Sequence, residues 1–399
     1  MTDLLSAERT GTPSRPLLEG VTVLDLATVG PAARATRALA DFGATVIKVG
    51  PVPSAGSQPI TPPFFAYSGQ LGLARVEIDL KDDRGREAFV SLAASADVVV
   101  ESFRPGVTDR LGIGYADLAA VNPRLVYCST SGYGQVGPAA QFAGHDVDYL
   151  AMGGFLATSE ARADGGPPLP GATVADAAAG GLHAALSICA ALVGREATGE
   201  GCYLDVAIAD GVLWLMSLAI DEHLALGTEP GPGHDLLTGK FACYGIYEAS
   251  DGWLAVVAIE HKFFANLLRA LDLSAWADRQ MDPAAQDELR AAMAATFRED
   301  TRDGWTARLA DADTCVAPVL RVAELPTSPH VADRGLLVEA HHPVHGSFQQ
   351  LAPVLAGMLV PAQPLEVPDL SVTATEALLE RAGVDASTIA TWRNEGVIG

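Results

Sequence analysis

The chain has 399 residues, 49% of them hydrophobic and 19% charged, which excludes a disordered or fibrous protein and asks for one large and one smaller core. Its formal net charge of −23, with no run of Lys or Arg, excludes a nucleic-acid or anionic-membrane surface. No apolar stretch reads as long and uninterrupted enough to cross a bilayer, the first residues lack the basic start and apolar core of a secretory signal, and the cytoplasm is the expected location.

Residues 1–16 read as a mobile leader. After them, VTVLDLA (21–27) has the pattern of a buried strand, 32–42 that of a helix, and ATVIKVG (44–50) that of a second strand. Strand, helix and strand at this spacing predict a parallel sheet with a right-handed crossover. The pattern recurs in strands at 74–80, 97–103 and 124–132, with an amphipathic helix over 83–96. The fold class is therefore α/β, a doubly wound, mainly parallel, Rossmann-like sheet over 17–226, with ligands expected beyond the carboxyl ends of the strands. A dinucleotide reading is weak, because no GxGxxG follows the first strand.

An Ala/Gly-rich apolar helix is predicted over 175–195 and another over 206–226. The turn-rich 227–240 reads as a linker. Residues 241–330 then form a smaller α+β domain, with a hairpin turning at Ser250-Asp251-Gly252 and helices over 261–272, 283–297 and 301–311. The segment 331–399 returns to the large domain with strand-like, Pro-rich sequence and a last helix near 373–382. Five cysteines, at 128, 189, 202, 243 and 315, show no metal-ligand or redox spacing and predict reduced, mostly buried thiols, with no metal site.

Four stretches carry a family resemblance. They are LLEGVTVLDLATVGP…LADFGATVIKV; VVVESFRPGVTDRLGIGYADLAAVNPRLVYCSTSGYGQVGP (98–138); AGHDVDYLAMGG (143–154) with VADAAAGG (174–181); and YEASDGWLAVVAIEHKFF (247–264) with CVAPVL (315–320). In this order they resemble the family III CoA-transferases, the CaiB/BaiF group. The GHD and AIE segments are similar to the α-methylacyl-CoA racemase branch within it. The resemblance implies an interlocked homodimer, a CoA thioester as substrate and no permanently bound cofactor.

It also implies His145 and Asp176 as the pair that moves a proton at the carbon beside a thioester carbonyl, with Glu260 orienting His145. The pair suits that chemistry because the two groups can hold opposite protonation states at neutral pH. A backbone N–H near Asp176 is expected to hold the enolate oxygen, and Gly180 and Gly181 to admit the thioester close to the backbone. Asp146 and Tyr149 are expected to fix the His145 loop and line the substrate site. On residue pattern alone, Asp176 equally fits a helix N-cap, and His145 a turn residue. In the transferase branch the same aspartate is a nucleophile that forms an acyl anhydride and needs neither His145 nor Glu260.

The sequence departs from the family where CoA phosphates are usually held. Gly50-Pro51-Val52-Pro53 and Gln70-Leu71-Gly72-Leu73-Ala74-Arg75 stand where basic residues are common. Lys48, Arg75, Arg104 and Arg110 remain as matching basic positions, with Arg34 and Arg37 nearby. The loss leaves three readings open: CoA held by the surviving cations, an acyl group arriving on a carrier protein or as a free small molecule, or a binding-only paralogue.

Overall fold

The computed structural model describes residues 13–53, 62–360 and 363–399. Residues 1–12 of the expected leader lie outside them. The chain forms two compact units. The first comprises residues 1–153, 170–215 and 329–399; the second comprises 154–169 and 216–328.

The first unit is built on a six-stranded parallel sheet: β1 (Thr22–Asp25), β2 (Thr45–Gly50), β3 (Leu73–Glu77), β4 (Val98–Glu101), β5 (Val126–Ser131) and β6 (Cys202–Ala207). Their order is β3-β2-β1-β4-β5-β6, so the direction of winding reverses between β1 and β4. This is the doubly wound arrangement expected from the sequence, and the crevice at that reversal is where such folds bind ligands.

The strands read as continuous apolar runs because both faces of the sheet are covered. Successive residues of one strand enter opposite cores. Leu24, Ile47, Val76, Val99 and Tyr127 pack with Phe89 of helix Asp83–Ala93 and with Leu379, Ile389 and Trp392 of the helices Thr375–Arg381 and Ala386–Asn394. Val23, Val46, Val98, Val100 and Val126 pack with Ala35 and Leu39 of helix Gly30–Asp41 and with Ala185, Ile188 and Leu192 of helix His183–Thr198. The C-terminal tail is pinned to the sheet edge, where Gly399 N–H donates to the Glu77 carbonyl at 3.1 Å.

Three details differ from the expected elements. The run over 206–226 is not one helix: β6 occupies its start, and helices Ile208–Leu215 and Ser217–Leu226 follow, interrupted at Met216, where the second unit begins. The segment 227–240 lies within that second unit, and helix Ala386–Asn394 was not anticipated. The Ala/Gly-rich helix extends over Ala175–Thr198, 24 residues that are apolar and long enough, by length and composition, to cross a bilayer. That corrects the expectation that no stretch would be. Its Ala184, Ile188 and Leu192 are core residues against the sheet, which is the setting of a central helix in a globular unit.

The second unit holds a small antiparallel sheet of β7 (Tyr244–Glu248), β8 (Trp253–Val257) and β9 (Val316–Pro318), the first two forming the expected hairpin. Helices His261–Ala270, Gln286–Phe297 and Arg302–Leu309 cover it. Their core joins Phe264, Leu268, Phe297 and Trp305 to Tyr247 and Leu254, and the buried Trp305 ring donates its N–H to the Phe297 carbonyl at 2.8 Å. In the first unit, β10 (Leu337–His342), β11 (Gly346–Leu351) and β12 (Leu365–Glu366) complete a separate three-stranded sheet. Of the cysteines, Cys128 and Cys243 are buried and Cys189 and Cys202 half-buried, whereas Cys315 is exposed, against the expectation for an apolar run.

Two buried carboxylates at strand ends make the fold testable. Asp25, with no exposed surface, accepts from Lys48 Nζ at 2.7 Å, Thr36 Oγ1 at 2.5 Å and the Ala27 N–H at 2.7 Å. Asp25→Ala leaves the Lys48 ammonium unpaired and mostly buried, and denaturant unfolding is expected to show a loss of about 3–5 kcal/mol. Glu101, at the end of β4, accepts from the Phe103 N–H at 2.6 Å and from the Ser129 hydroxyl. Burial outweighs these bonds and pushes its carboxyl up to about 7. A carboxyl raised in the folded state binds its proton more tightly there than in the unfolded chain. Its stabilising contribution is therefore full below about pH 4.5 and is lost as pH rises through about 7. Glu101→Gln is expected to flatten that part of the stability–pH curve, read by unfolding at fixed denaturant across the range.

Candidate active site

The GHD segment and the start of the Ala/Gly-rich helix meet in the first unit. His145 is the extended residue ahead of helix Asp146–Met152, and its N–H donates to Asp148 Oδ2 at 2.9 Å, which fixes the helix start and leaves the ring exposed. The next residue, Asp146, turns inward and is buried. Its Oδ1 accepts the Asp176 N–H at 2.8 Å and so ties the two segments together. Tyr149, one helical turn on, is buried too, and its hydroxyl donates to the Gly144 carbonyl at 2.6 Å. Gly132 and Gly144 have to be glycines here, since a Cβ on either would come within 2.6–2.8 Å of the Tyr149 ring. Asp146 and Tyr149 thus pack the segment that follows His145 against Gly132, Gly144 and the Asp176 turn.

Asp176 lies in the first turn of a π-helical stretch, Ala175–Leu182, and not at an N-cap, which Val174 occupies. Wider turns of this kind recur at functional sites, because the extra residue per turn re-aims side chains. Burial raises the Asp176 carboxyl above the usual aspartate range and the neighbouring Asp146 adds to this; Arg34 and His145 pull it back. The charges of His145 and Asp176 therefore act on each other.

The enolate-oxygen donor expected near Asp176 is not the Asp176 N–H itself, because Asp146 already takes it. One expectation at this point is corrected. Gly180 and Gly181 serve helix packing: a Cβ on Gly180 would sit 2.6 Å from Pro31 Cβ, and one on Gly181 2.9 Å from Arg34 Cβ. They let helix Gly30–Asp41 lie against the π-helical turn, so the room they make is filled by protein. Glu260 belongs to the second unit, where it is exposed as the residue preceding helix His261–Ala270, with its charge acting on the Cys315 thiol.

The expected basic positions divide. Lys48 and Arg75 line a cavity of about 520 Å³ at the carboxyl ends of β1 to β3, together with Gly50, Pro51 and Gln70. Both cations already have partners: Lys48 holds Asp25 and the Ala27 carbonyl (2.5 Å), and Arg75 holds Glu77 (2.8 Å) and the Leu370 carbonyl (3.1 Å). Arg104 and Arg110 are exposed on the segment after β4 and do not line that cavity. Arg37 is buried against Asp41 (2.6 Å) and the Ser68 carbonyl (3.0 Å).

Residues that sequence reasoning missed complete the cavity. Phe64 stacks on His345 with ring centroids 4.1 Å apart, and His342 lies 4.7 Å from His345. His342 is buried, and its Nδ1 accepts the N–H groups of Val344 (3.1 Å) and His345 (3.3 Å), so the ring is held in place by its own turn. The signal was the HHPVH run at 341–345, which lies at the tip of the β10–β11 hairpin. Asp369, on the same wall, has its carboxyl held below the usual range by hydrogen bonds from Ser371, with the two imidazoles contributing.

Comparison with known proteins agrees with the fold. The model described as CoA-transferase family III matches residues 18–369. The chain is 33% identical to human alpha-methylacyl-CoA racemase over 387 residues, covering 96% of this chain and 97% of that protein. It is 30% identical to acetyl-CoA:oxalate CoA-transferase of Acetobacter aceti, covering 89% and 91%. A crystal structure of a CAIB/BAIF family protein from Brucella suis superposes with a TM-score of 0.75 at 28% identity, covering 93% of this chain and all of that one. The chain belongs to CoA-transferase family III, an enzyme of its transferase and racemase type.

Proposed function

We propose that this enzyme exchanges the α-proton of a 2-methylacyl thioester through an enolate, so that the two configurations at that carbon interconvert. The observation that carries the reading is the tie between Asp146 and the Asp176 N–H, which brings the His145 loop to the turn that bears Asp176. A neutral imidazole removes the proton from one face, and a protonated carboxyl returns one to the other. Burial and the adjacent Asp146 favour a proton on Asp176, as that second role requires. A transferase would instead use Asp176 as an ionised nucleophile that forms an acyl anhydride.

For the carrier, the reading assigns the nucleotide end of CoA to the cavity beyond β1 to β3. Lys48 and Arg75 supply charge there, and the Phe64–His345 stack offers a flat surface to a base. A carrier-protein arm is the alternative, because the two cations are already matched by acids.

A homodimer is part of the proposal. In the first unit Leu182, Leu186, Val193 and Trp214 are exposed, and in the second Leu218, Leu224 and Leu226. Apolar side chains this numerous on three helical segments call for a covering partner. Light scattering is expected to give a solution mass twice the 41.4 kDa of the chain, and a monomer at micromolar concentration would count against it.

Incubation with (2R)- and (2S)-2-methylacyl-CoA in heavy water tests the chemistry. The wild type is expected to deuterate both at the α-carbon. His145→Gln and Asp176→Asn are expected to slow it by roughly 10²–10⁴-fold, each mainly for the epimer whose proton it removes. Transfer of CoA to an added carboxylate, with an Asp176 hydroxamate trapped by hydroxylamine and no α-deuteration, would replace this reading by the transferase one.

A further inference from the structure

The cavity beyond β1 to β3 holds cations, yet its charges are already balanced. Lys48 and Arg75 are the basic residues that line it among those described, and the sequence 54–61, SAGSQPIT, contains no other. Lys48 gives one proton to Asp25 at 2.7 Å and another to the Ala27 carbonyl. Arg75 gives Nη2 to Glu77 at 2.8 Å and Nη1 to the Leu370 carbonyl at 3.1 Å. The third charged group on the wall is a carboxylate, Asp369. Two cations are thus set against three acids. His342 adds no charge, because its Nδ1 accepts two N–H groups, and the exposed His345 is cationic only when protonated. A phosphate entering this cavity meets no cation that lacks a counter-charge.

What the cavity offers is suited to a nucleoside. Its volume of about 520 Å³ lies in the range of small-ligand sites. The Phe64 ring lies nearly parallel to that of His345, at 17°, and is braced edge-on by Phe348 with centroids 5.1 Å apart. His345 remains exposed, so the stack can be extended by a further flat ring. Asp369 Oδ1 accepts both the N–H (2.9 Å) and the hydroxyl (2.7 Å) of Ser371, which leaves Oδ2 without a protein donor among the described residues. A carboxylate in this state accepts a hydrogen bond from a ribose hydroxyl and repels a phosphate on the same oxygen.

We infer that the enzyme reads its carrier by the adenosine and not by the 3′-phosphate, so that thioesters of 3′-dephospho-CoA are substrates on a par with those of CoA. The inference rests on the assignment of the nucleotide end to this cavity, made above. The base extends the His345–Phe64 stack and a ribose hydroxyl donates to Asp369. Lys48 and Arg75 hold the floor of the cavity through Asp25 and Glu77, and the 3′-phosphate stays in solvent.

The test follows α-deuteration of the 2-methylacyl thioesters of CoA, 3′-dephospho-CoA and pantetheine near pH 8, where imidazoles are neutral, at low and high salt. The CoA and dephospho-CoA thioesters are expected to agree in kcat/KM within about threefold, with a ratio that salt does not move. Both are expected to exceed the pantetheine thioester by at least about tenfold, the scale of one base stacked on an aromatic ring. Phe64→Ala, and His345→Ala at the exposed end of the stack, are expected to narrow that gap. A CoA thioester better than its dephospho analogue by more than about threefold overturns the inference, as does a gap that both variants leave intact. A pantetheine thioester as good as the other two also overturns it, and the carrier assignment falls with it while proton exchange stands. If none of the three exchanges, the racemase reading fails, and calorimetric titration with CoA, 3′-dephospho-CoA and pantetheine decides the inference separately. Equal affinity for the first two and weaker binding of the third support it; binding confined to CoA, or no binding at all, overturns it.

Discussion

The buried Asp25 charge is the constraint around which the first unit is organised. It sits at the carboxyl end of β1 with no exposed surface, and three elements converge to satisfy it: Lys48 from β2, Thr36 from helix Gly30–Asp41, and the backbone turning out of β1 at Ala27. A buried carboxylate is tolerable only when its charge and lone pairs are met together. Meeting them fixes the crossover helix against the two strands it joins. That helix in turn sets where Pro31 and Arg34 lie, and Gly180 and Gly181 are the residues small enough to let the π-helical turn approach them. Asp176 is therefore placed by a chain of contacts that begins at the sheet.

The same interaction bears on the ligand cavity. Lys48 is the cation nearest to the family's usual basic position, yet most of its charge is spent on Asp25, as that of Arg75 is on Glu77. The wall that remains is unusual in being made of rings, Phe64, His342 and His345, in place of arginines. Stacking takes over part of what charge does elsewhere, and such a surface binds a flat base better than it binds phosphates.

Asp146 has a larger part than a loop-fixing residue. By accepting the Asp176 N–H it joins the two segments of the site, and by its charge it helps hold the Asp176 carboxyl up. The price is the N–H itself, which is no longer free to face an enolate. Sequence pattern shows the start of a helix and its free N–H groups, but not which neighbour has already claimed one of those donors.

What the sequence by itself determined is local and periodic. Continuous apolar runs with a helix between them specify β1, β2 and the parallel sheet, because a strand covered on both faces has no polar side to show. The order GHD, then Asp176, then Glu260 made the candidate residues legible through a resemblance that spans the chain. Strand β6 escaped because only its last two residues are buried, so CYLDVA lacks an apolar run and was absorbed into the helix that follows. Tertiary structure alone decided the rest. Lys48, Arg75, His345 and Asp369 meet in one cavity although they are scattered from the second strand to the tail, since the tail folds back over the carboxyl ends of the strands. Whether an arginine is paired is likewise a property of neighbours in space: Arg34 and Arg37 are alike in sequence, and only the packing of Thr173 against one and Asp41 against the other separates their settings.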